Sequence, residues 1–494
     1  MSDAGSASTR SARPRPSPAL TYASRVGLIA LAGGLFRLAF LYRQPLWRDE
    51  AFTAVVVRRP LDDMLAAVAH DSAPPLHYLL EYVIAQAGDA PWLLRLVSAL
   101  AGMALIPLVA ALARRIRGDA AGVWAAAFVA VLPAAVVASR DARMYALDAT
   151  LVVAAVLSLW RALERPTIGR WVAYVVVASA AIWTDYFAVF AVAAMLAGAW
   201  RLRPPRRTLA VAAIWSAAAL ASIAPWVLAA PEQFAHGQVP FWVEPLGVKT
   251  VGGTLVQLVS GPPIDPGIPF KLPLQALQVV AIFCGAAALL PLVRGWRRLG
   301  VRERQAASFC AVAGGAGVLL LALVSVWRPV LEARYASVLW PPLFALAGVG
   351  LALASRRAGA WLLVGLALPS LALSVAITHP ETDRLVPAIE ARLGPHDLID
   401  AYPTQYLLLL REGDDALRGH LHVVSTDVPW FWGTAAYPPG AILSSVPADV
   451  RANGGRILRV AEPEDPTPVL PGGYRPVEQV CEVRVCLTVY DPAG

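Results

Sequence analysis

Charge is what this chain has least of. Asp, Glu, Lys and Arg make up 15% of its 494 residues and 57% are hydrophobic, where a soluble domain carries about 25% charged residues. An ordinary soluble fold is thereby excluded, and the chain reads as mainly membrane-embedded. Cysteine is scarce too, and four of them exclude a disulfide framework. Cys284 and Cys310 sit in apolar runs and read as core residues. Cys481 and Cys486 sit in a polar C-terminal stretch, where a bridge is open if that stretch faces an oxidising compartment. Their odd separation of five places them on opposite faces of one straight strand, so a bridge needs a bend or bulge. The formal charge of +8 does not imply a nucleic-acid partner. The arginines fall in short clusters between apolar runs, as cytoplasmic loop anchors do.

What the chain has in abundance is long apolar segments. Residues 1–25 are polar, basic and rich in Pro and Ser, and read as a disordered cytoplasmic arm. The first apolar run lacks a small-residue cleavage site and reads as a retained span. Candidate spans fall at 26–43, 93–113, 120–138, 147–163, 171–184, 187–200, 208–230, 274–293, 306–327, 336–354 and 360–378. The pattern predicts a polytopic α-helical membrane protein with about eleven helices over 26–379. The short fifth and sixth spans, parted by "TDYF", read as a helical hairpin or one kinked helix. A cytoplasmic N-terminus puts roughly 21 Lys/Arg in the inner segments and roughly 10 in the short outer loops, as the positive-inside rule requires. Two separate short helices keep "RLRPPRR" inside. Residues 380–494, with short apolar runs, Pro/Gly turns and the alternating "VEQVCEVRVCLTVYD", read as a small extracytoplasmic α/β domain. Abundant Ala, Arg and Pro fit a GC-rich bacterial genome and an inner-membrane location.

The few charges outside are grouped. The first outer loop, 44–92, carries Arg48, Asp49, Glu50, Arg58, Arg59, Asp62, Asp63, His70 and Asp71; "SRDARMYALD" carries Arg140, Asp141, Arg143, Tyr145 and Asp148; "TDYF" carries Asp185; "RPVLEARY" carries Arg328, Glu332, Arg334 and Tyr335. Such groups serve as helix caps, snorkelling anchors and aromatic-belt residues, and Asp71-Ser72 ahead of two prolines resembles a cap. Recurrence of acid, Arg and Tyr at one membrane mouth favours a functional reading. Asp49 and Glu50 are adjacent, so one would face a cavity while the other supports the backbone or an Arg. Asp148 sits one turn inside an apolar run and calls for a polar cavity or an Arg.

"LWRDEAFT", "HDSAPPLHYLL", "SRDARMYALD" and the later "RY…PP" resemble the GT-C glycosyltransferases of family 39 type, which include protein O-mannosyltransferases and lipid A aminoarabinose transferases. The resemblance covers about 1–380. It implies a GT-C fold and transfer from a polyprenyl-phosphate sugar at the exterior face. It places Asp49 at the family's catalytic acid, Glu50 beside it as the second residue of the catalytic pair, Asp148 at a second acidic position, and Arg334 and Tyr335 at a pair near the donor phosphate. Where relatives often carry His before the prolines, this chain has Ala73.

The chemistry implied is an inverting displacement. A phosphate leaving group needs positive charge more than an acid, and Arg supplies it as a bidentate fork. The candidates are Arg143, Arg334, Arg140 and Arg58, with Asp49 as general base toward an acceptor hydroxyl. Asp71, Asp148, Tyr145, His70 and Asp185 are expected to support the site. Asp49, Glu50, Asp71 and His70 offer ligands for a divalent cation, and arginine-rich phosphate binding makes one less necessary. The loop 231–273, rich in Pro, Gly and aromatics, reads as a lid or as an interfacial loop anchored by Phe241 and Trp242. Expected partners are membrane lipids, a polyprenyl-phosphate sugar donor and a lipid, polysaccharide or protein acceptor. A flippase or transporter of lipid-linked saccharides, and a non-catalytic envelope scaffold, are the competing readings.

Overall fold

A computed structural model of the chain describes residues 20–235, 242–264, 268, 270–376, 382–466, 470, 472–482 and 484–492. The N-terminal arm up to residue 19, Phe241 and the expected boundary near 379 lie outside them. Each of the eleven apolar segments overlaps helix, and among the described residues six helices are long and apolar enough to cross a membrane. The longest, Leu96–Val131, has 36 residues. At 1.5 Å per residue it would run roughly 54 Å, well beyond a hydrocarbon core of about 30 Å. It is broken at Arg117 and Gly118, where φ turns to +75° at the glycine. The helices Ile168–Thr184 and Ala188–Ala199 are separate; Asp185 ends the first in extended conformation. They pack on different neighbours, the first on Tyr145–Glu164 and the second on Val301–Val324.

Pro133 shows how the bundle deals with its own helix breaker. Lacking an N–H, it cannot pair with the carbonyl of Val129. Arg37, fully buried on α1 (Tyr22–Leu38), donates to the carbonyls of Val129 (3.0 Å), Ala130 (3.1 Å) and Gly33 (2.9 Å) and to Ser139 Oγ (3.0 Å). Ser370 Oγ serves the Val131 carbonyl at 2.6 Å. The charge is thus spread over acceptors that the proline left open.

Small residues let helices approach closely. A Cβ on Gly348, in the helix Pro342–Leu353, would sit 2.3 Å from Ala125 Cβ and 2.6 Å from its Cα. Backbone cannot swing aside as a side-chain tip can. Gly348→Ala is therefore expected to cost about 1–3 kcal/mol through overpacking, read as a lower thermal midpoint in detergent; an unchanged midpoint would mean the contact is loose.

Four further helices lie between α1 and the long helix Leu96–Val131: α2 (Arg48–Val56), α3 (Leu61–His70), α4 (Leu76–Ala85) and the single turn α5 (Pro91–Leu94). The C-terminal portion forms a six-stranded sheet in the order β3-β2-β1-β4-β6-β5, with β1 Leu398–Ala401, β2 Leu421–Val424, β3 Ile442–Leu443, β4 Ile457–Ala461, β5 Tyr474–Glu482 and β6 Val485–Pro492. β3, β2, β1 and β4 pair in parallel, and β6 is antiparallel to β4 and β5. The helix Pro403–Glu412 makes the crossover from β1 to β2. The alternating C-terminal segment is a hairpin and not one straight strand. Cys481 and Cys486 stand directly opposite each other on β5 and β6 and form a disulfide.

The two ends of the bundle differ. At one end arginines bind acids across loops, Arg115 to Glu164 (2.9 Å) and Arg117 to Glu303 (2.8 Å). At the other, α2, the turn after α3 (residues 71–73), residues 143–145, the 185–187 turn, Arg334 and Tyr335, and residues 430–433 converge on one cavity.

Candidate active site

The cavity measures about 300 Å³. Asp49 enters it from the first turn of α2, with 18% of its side chain exposed. Its carboxylate accepts from Arg334 Nη1 at 2.8 Å and from Arg48 Nε at 3.2 Å. Successive residues on a helix point about 100° apart, so Glu50 turns the other way, into the protein. Glu50 accepts from Arg95 Nε (2.6 Å), Arg95 Nη2 (2.5 Å) and the Ala142 N–H (2.8 Å). Arg95 spends its other N–H groups on the carbonyls of Leu41, Gln44 and Pro45. The adjacent carboxylates thus divide: one faces the cavity, the other is a buried brace. This corrects the pairing of Glu50 with Asp49 as a catalytic residue, since all its oxygens are committed behind the wall.

The brace reaches the second loop. Ala142 is held by Glu50 through its N–H and by Thr53 Oγ1 through its carbonyl (3.2 Å), and Ser98 Oγ donates to the Arg143 carbonyl (2.9 Å). Arg143 is fixed against the cavity, with Nη1 on Tyr78 Oη at 3.0 Å. Its buried Nε has no hydrogen-bond partner among the described residues. Arg334 lies over the rings of Trp242 (4.5 Å) and Trp47 (5.3 Å), and Tyr335 stacks on Phe187 at 4.5 Å between centroids.

Electrostatics favour an anion. Burial pushes the Asp49 carboxyl up, but Arg48, Arg334 and Arg143 outweigh it and hold the group at about 2. Asp71 is pushed up by burial against the opposing pull of Arg143 and Ser72. Asp185 is pushed up to about 7 by burial, against the Phe187 N–H and Arg143. With two carboxyls drawn toward neutrality and Arg48, Arg143, Arg328 and Arg334 all lining the space, the cavity carries surplus positive charge.

Of the residues expected from sequence, Asp49, Asp71, Arg143, Tyr145, Asp185, Arg334 and Tyr335 meet here. Others do not. Arg140 donates to the Phe36 and Arg37 carbonyls beneath the rings of Phe36 and Phe40, which removes it from the phosphate set. Arg58 pairs with Asp89 at 3.2 Å, away from the cavity. His70 pairs with Glu232 at 2.9 Å in a neighbouring cleft. Asp148 is buried just behind the wall, and neither of its oxygens has a hydrogen-bond partner among the described residues. Asp71 ends α3 and does not cap α4, whose N-cap is Pro75. The metal-ligand set is dispersed: Glu50 is committed to Arg95 and His70 to Glu232. Among the described residues no group of three His, Cys, Asp or Glu is placed to hold a metal.

Sequence reasoning missed one wall. Trp430, Phe431, Trp432 and Gly433, from the C-terminal portion, line the cavity. Gly433 has φ +77°, and a Cβ there would sit 3.0 Å from both Leu407 Cδ1 and Phe52 Cδ2. The "PWFWG" cluster, three aromatics between Pro and Gly, was the available signal. The long 231–273 loop carries its own helix, Val248–Ser260, and lends Gln233 and Trp242 to the cavity.

The sequence model of the dolichyl-phosphate-mannose-protein mannosyltransferase family matches residues 71–228. ArnT from Cupriavidus metallidurans, solved with undecaprenyl phosphate bound, superposes at TM-score 0.59 with 18% identity, covering 94% of this chain and 97% of its own. The chain has the GT-C glycosyltransferase fold. The apo form of that ArnT gives TM-score 0.61 at 17% identity and the same coverage. The archaeal oligosaccharyltransferase AglB from Archaeoglobus fulgidus, in complex with an inhibitory peptide and a dolichol-phosphate, matches at TM-score 0.51 and 13% identity over 79% of this chain and 63% of its own. No curated protein matches the chain. The GT-C resemblance read from the loop motifs therefore holds at the level of fold.

Proposed function

We propose that this GT-C chain is an inverting glycosyltransferase that moves a sugar from a polyprenyl-phosphate donor to an acceptor hydroxyl at the outer face of the cytoplasmic membrane. The observation that carries the reading is Asp49 facing a cavity that it shares with Arg48, Arg143, Arg328 and Arg334. The ligands of two fold relatives, undecaprenyl phosphate and dolichol-phosphate, support the donor class. The acceptor oxygen attacks the anomeric carbon, its proton passes to Asp49, and the bond from that carbon to the phosphate oxygen breaks. Polyprenyl phosphate leaves with the bonding pair. Arg143 and Arg334 receive the growing charge on phosphate, as fixed cations placed where that charge develops. One displacement inverts the anomeric centre.

An N-terminus in the cytoplasm puts the arginine-rich end inside by the positive-inside rule, with the cavity and the C-terminal sheet outside. The Cys481–Cys486 bridge suits an oxidising compartment.

The test is release of polyprenyl phosphate by the purified protein across a panel of polyprenyl-phosphate sugars. Arg334→Ala is expected to weaken binding of polyprenyl phosphate itself about tenfold or more, as loss of a charge-assisted contact implies. Absence of release with every donor in the presence of cell-envelope extract would refute the reading.

A further inference from the structure

Beside the Asp49 cavity lies a second cleft of about 700 Å³, and Trp430 lines both. We propose that this cleft binds the acceptor, and that the acceptor is a saccharide chain; the inference rests on the transferase reading above. One wall is a face of α3: Asp63, Ala66 and His70 recur at helical spacing, and His70 is paired with Glu232. The opposite wall carries Trp430 and Tyr437.

That wall is built and held. Arg59 donates to the carbonyls of Ala435 and Ala436. Tyr437 donates to the Pro403 carbonyl at 3.0 Å and packs on the Tyr406 ring at 4.3 Å. Aromatic faces across from carboxylate and imidazole groups match a sugar ring, whose C–H face packs on an aromatic ring and whose hydroxyls hydrogen-bond at the edge.

The same walls disfavour other acceptors. None of the six helices that, among the described residues, are long and apolar enough to cross a membrane contributes to the cleft, so it does not open along a candidate span, where acyl chains would lie. An extended peptide needs backbone partners, and the carbonyls of Ala435 and Ala436 are already taken by Arg59. The shared Trp430 sets the end of a bound saccharide toward Asp49.

The experiment titrates the full-length protein in detergent with mannan-, arabinan- and glucan-derived pentasaccharides by calorimetry. It compares wild type with Ala66→Trp, which fills the cleft from an exposed position of α3, and with Asp63→Asn. One saccharide series is expected to bind, and Ala66→Trp to weaken it about tenfold or more, with binding of polyprenyl phosphate unchanged. Failure of every series to bind, equal binding by Ala66→Trp, or turnover of a lipid or peptide acceptor that this variant leaves unchanged would overturn the inference. Calorimetry needs no turnover. A failed titration therefore strikes the saccharide site alone, whereas absent donor release strikes the transferase reading.

Discussion

Purified Asp49→Asn protein is expected to release polyprenyl phosphate about 10²–10⁴-fold more slowly than wild type, the range general-base catalysis supplies, at unchanged or tighter donor binding. The substitution keeps the shape and removes one charge. Arg48 and Arg334, which donate to that carboxylate at 3.2 and 2.8 Å, would then face phosphate without a competitor. A fall in rate without a fall in affinity is the signature of a group that acts in the transition state. Equal rates in the two proteins would favour a scaffold.

The resting carboxyl, held at about 2 by its arginines, is ionised across the physiological range but is a weak base. On the proposed reading, donor phosphate would compete for Arg334, which would withdraw one lowering charge from Asp49 and move its carboxyl up toward the ordinary value near 4. The sign follows directly: a carboxyl at or below about 4 loses its charge only in acid, so Asp49 contributes no limb to the rate profile near neutrality.

Much of this was legible in the chain because hydropathy and loop charge are local signals. The apolar helical segments were legible from hydropathy, and the clustering of Asp49, Arg143, Asp185 and Arg334 in one cavity is what loops gathered at one end of a bundle produce. What such gathering does not encode is direction. Arg140 and Arg143 lie three apart in one loop. Only the fold shows Arg140 turned back onto the Phe36 and Arg37 carbonyls and Arg143 turned to the cavity. Asp49 and Glu50 were separable in principle by helical geometry, but which of them faced inward depended on Arg95, 45 residues on. The aromatic wall at 430–433 was not legible, since its approach to Phe52 is set by how the helix Pro403–Glu412 seats on α2. Whether Cys481 and Cys486 bridge was left open by the sequence, because the bend that a bridge requires is decided by the pairing of β5 with β6.

Arg95→Met is expected to be the most destabilising change near the site, by about 3–5 kcal/mol, because it leaves the Glu50 charge buried and unpaired. Both side chains are 1% exposed. The variant also strands the carbonyls of Leu41 and Pro45, which Arg95 serves at 2.7 and 3.0 Å. Adding Glu50→Gln removes the orphan charge while an amide oxygen still accepts from the Ala142 N–H, so the double variant is expected to regain part of the loss. Thermal unfolding in detergent reads both; a double variant less stable than Arg95→Met would refute the coupling. The consequence extends to chemistry. The carbonyl end of this brace fixes α2 to the end of the first span, and its carboxylate end fixes Ala142 and with it Arg143. Removing Arg95 is therefore expected to slow donor release even in the fraction that stays folded. In the proposed mechanism, Glu50 would act from behind the wall, because its contacts with Arg95 and the Ala142 N–H set the distance between Asp49 on α2 and Arg143.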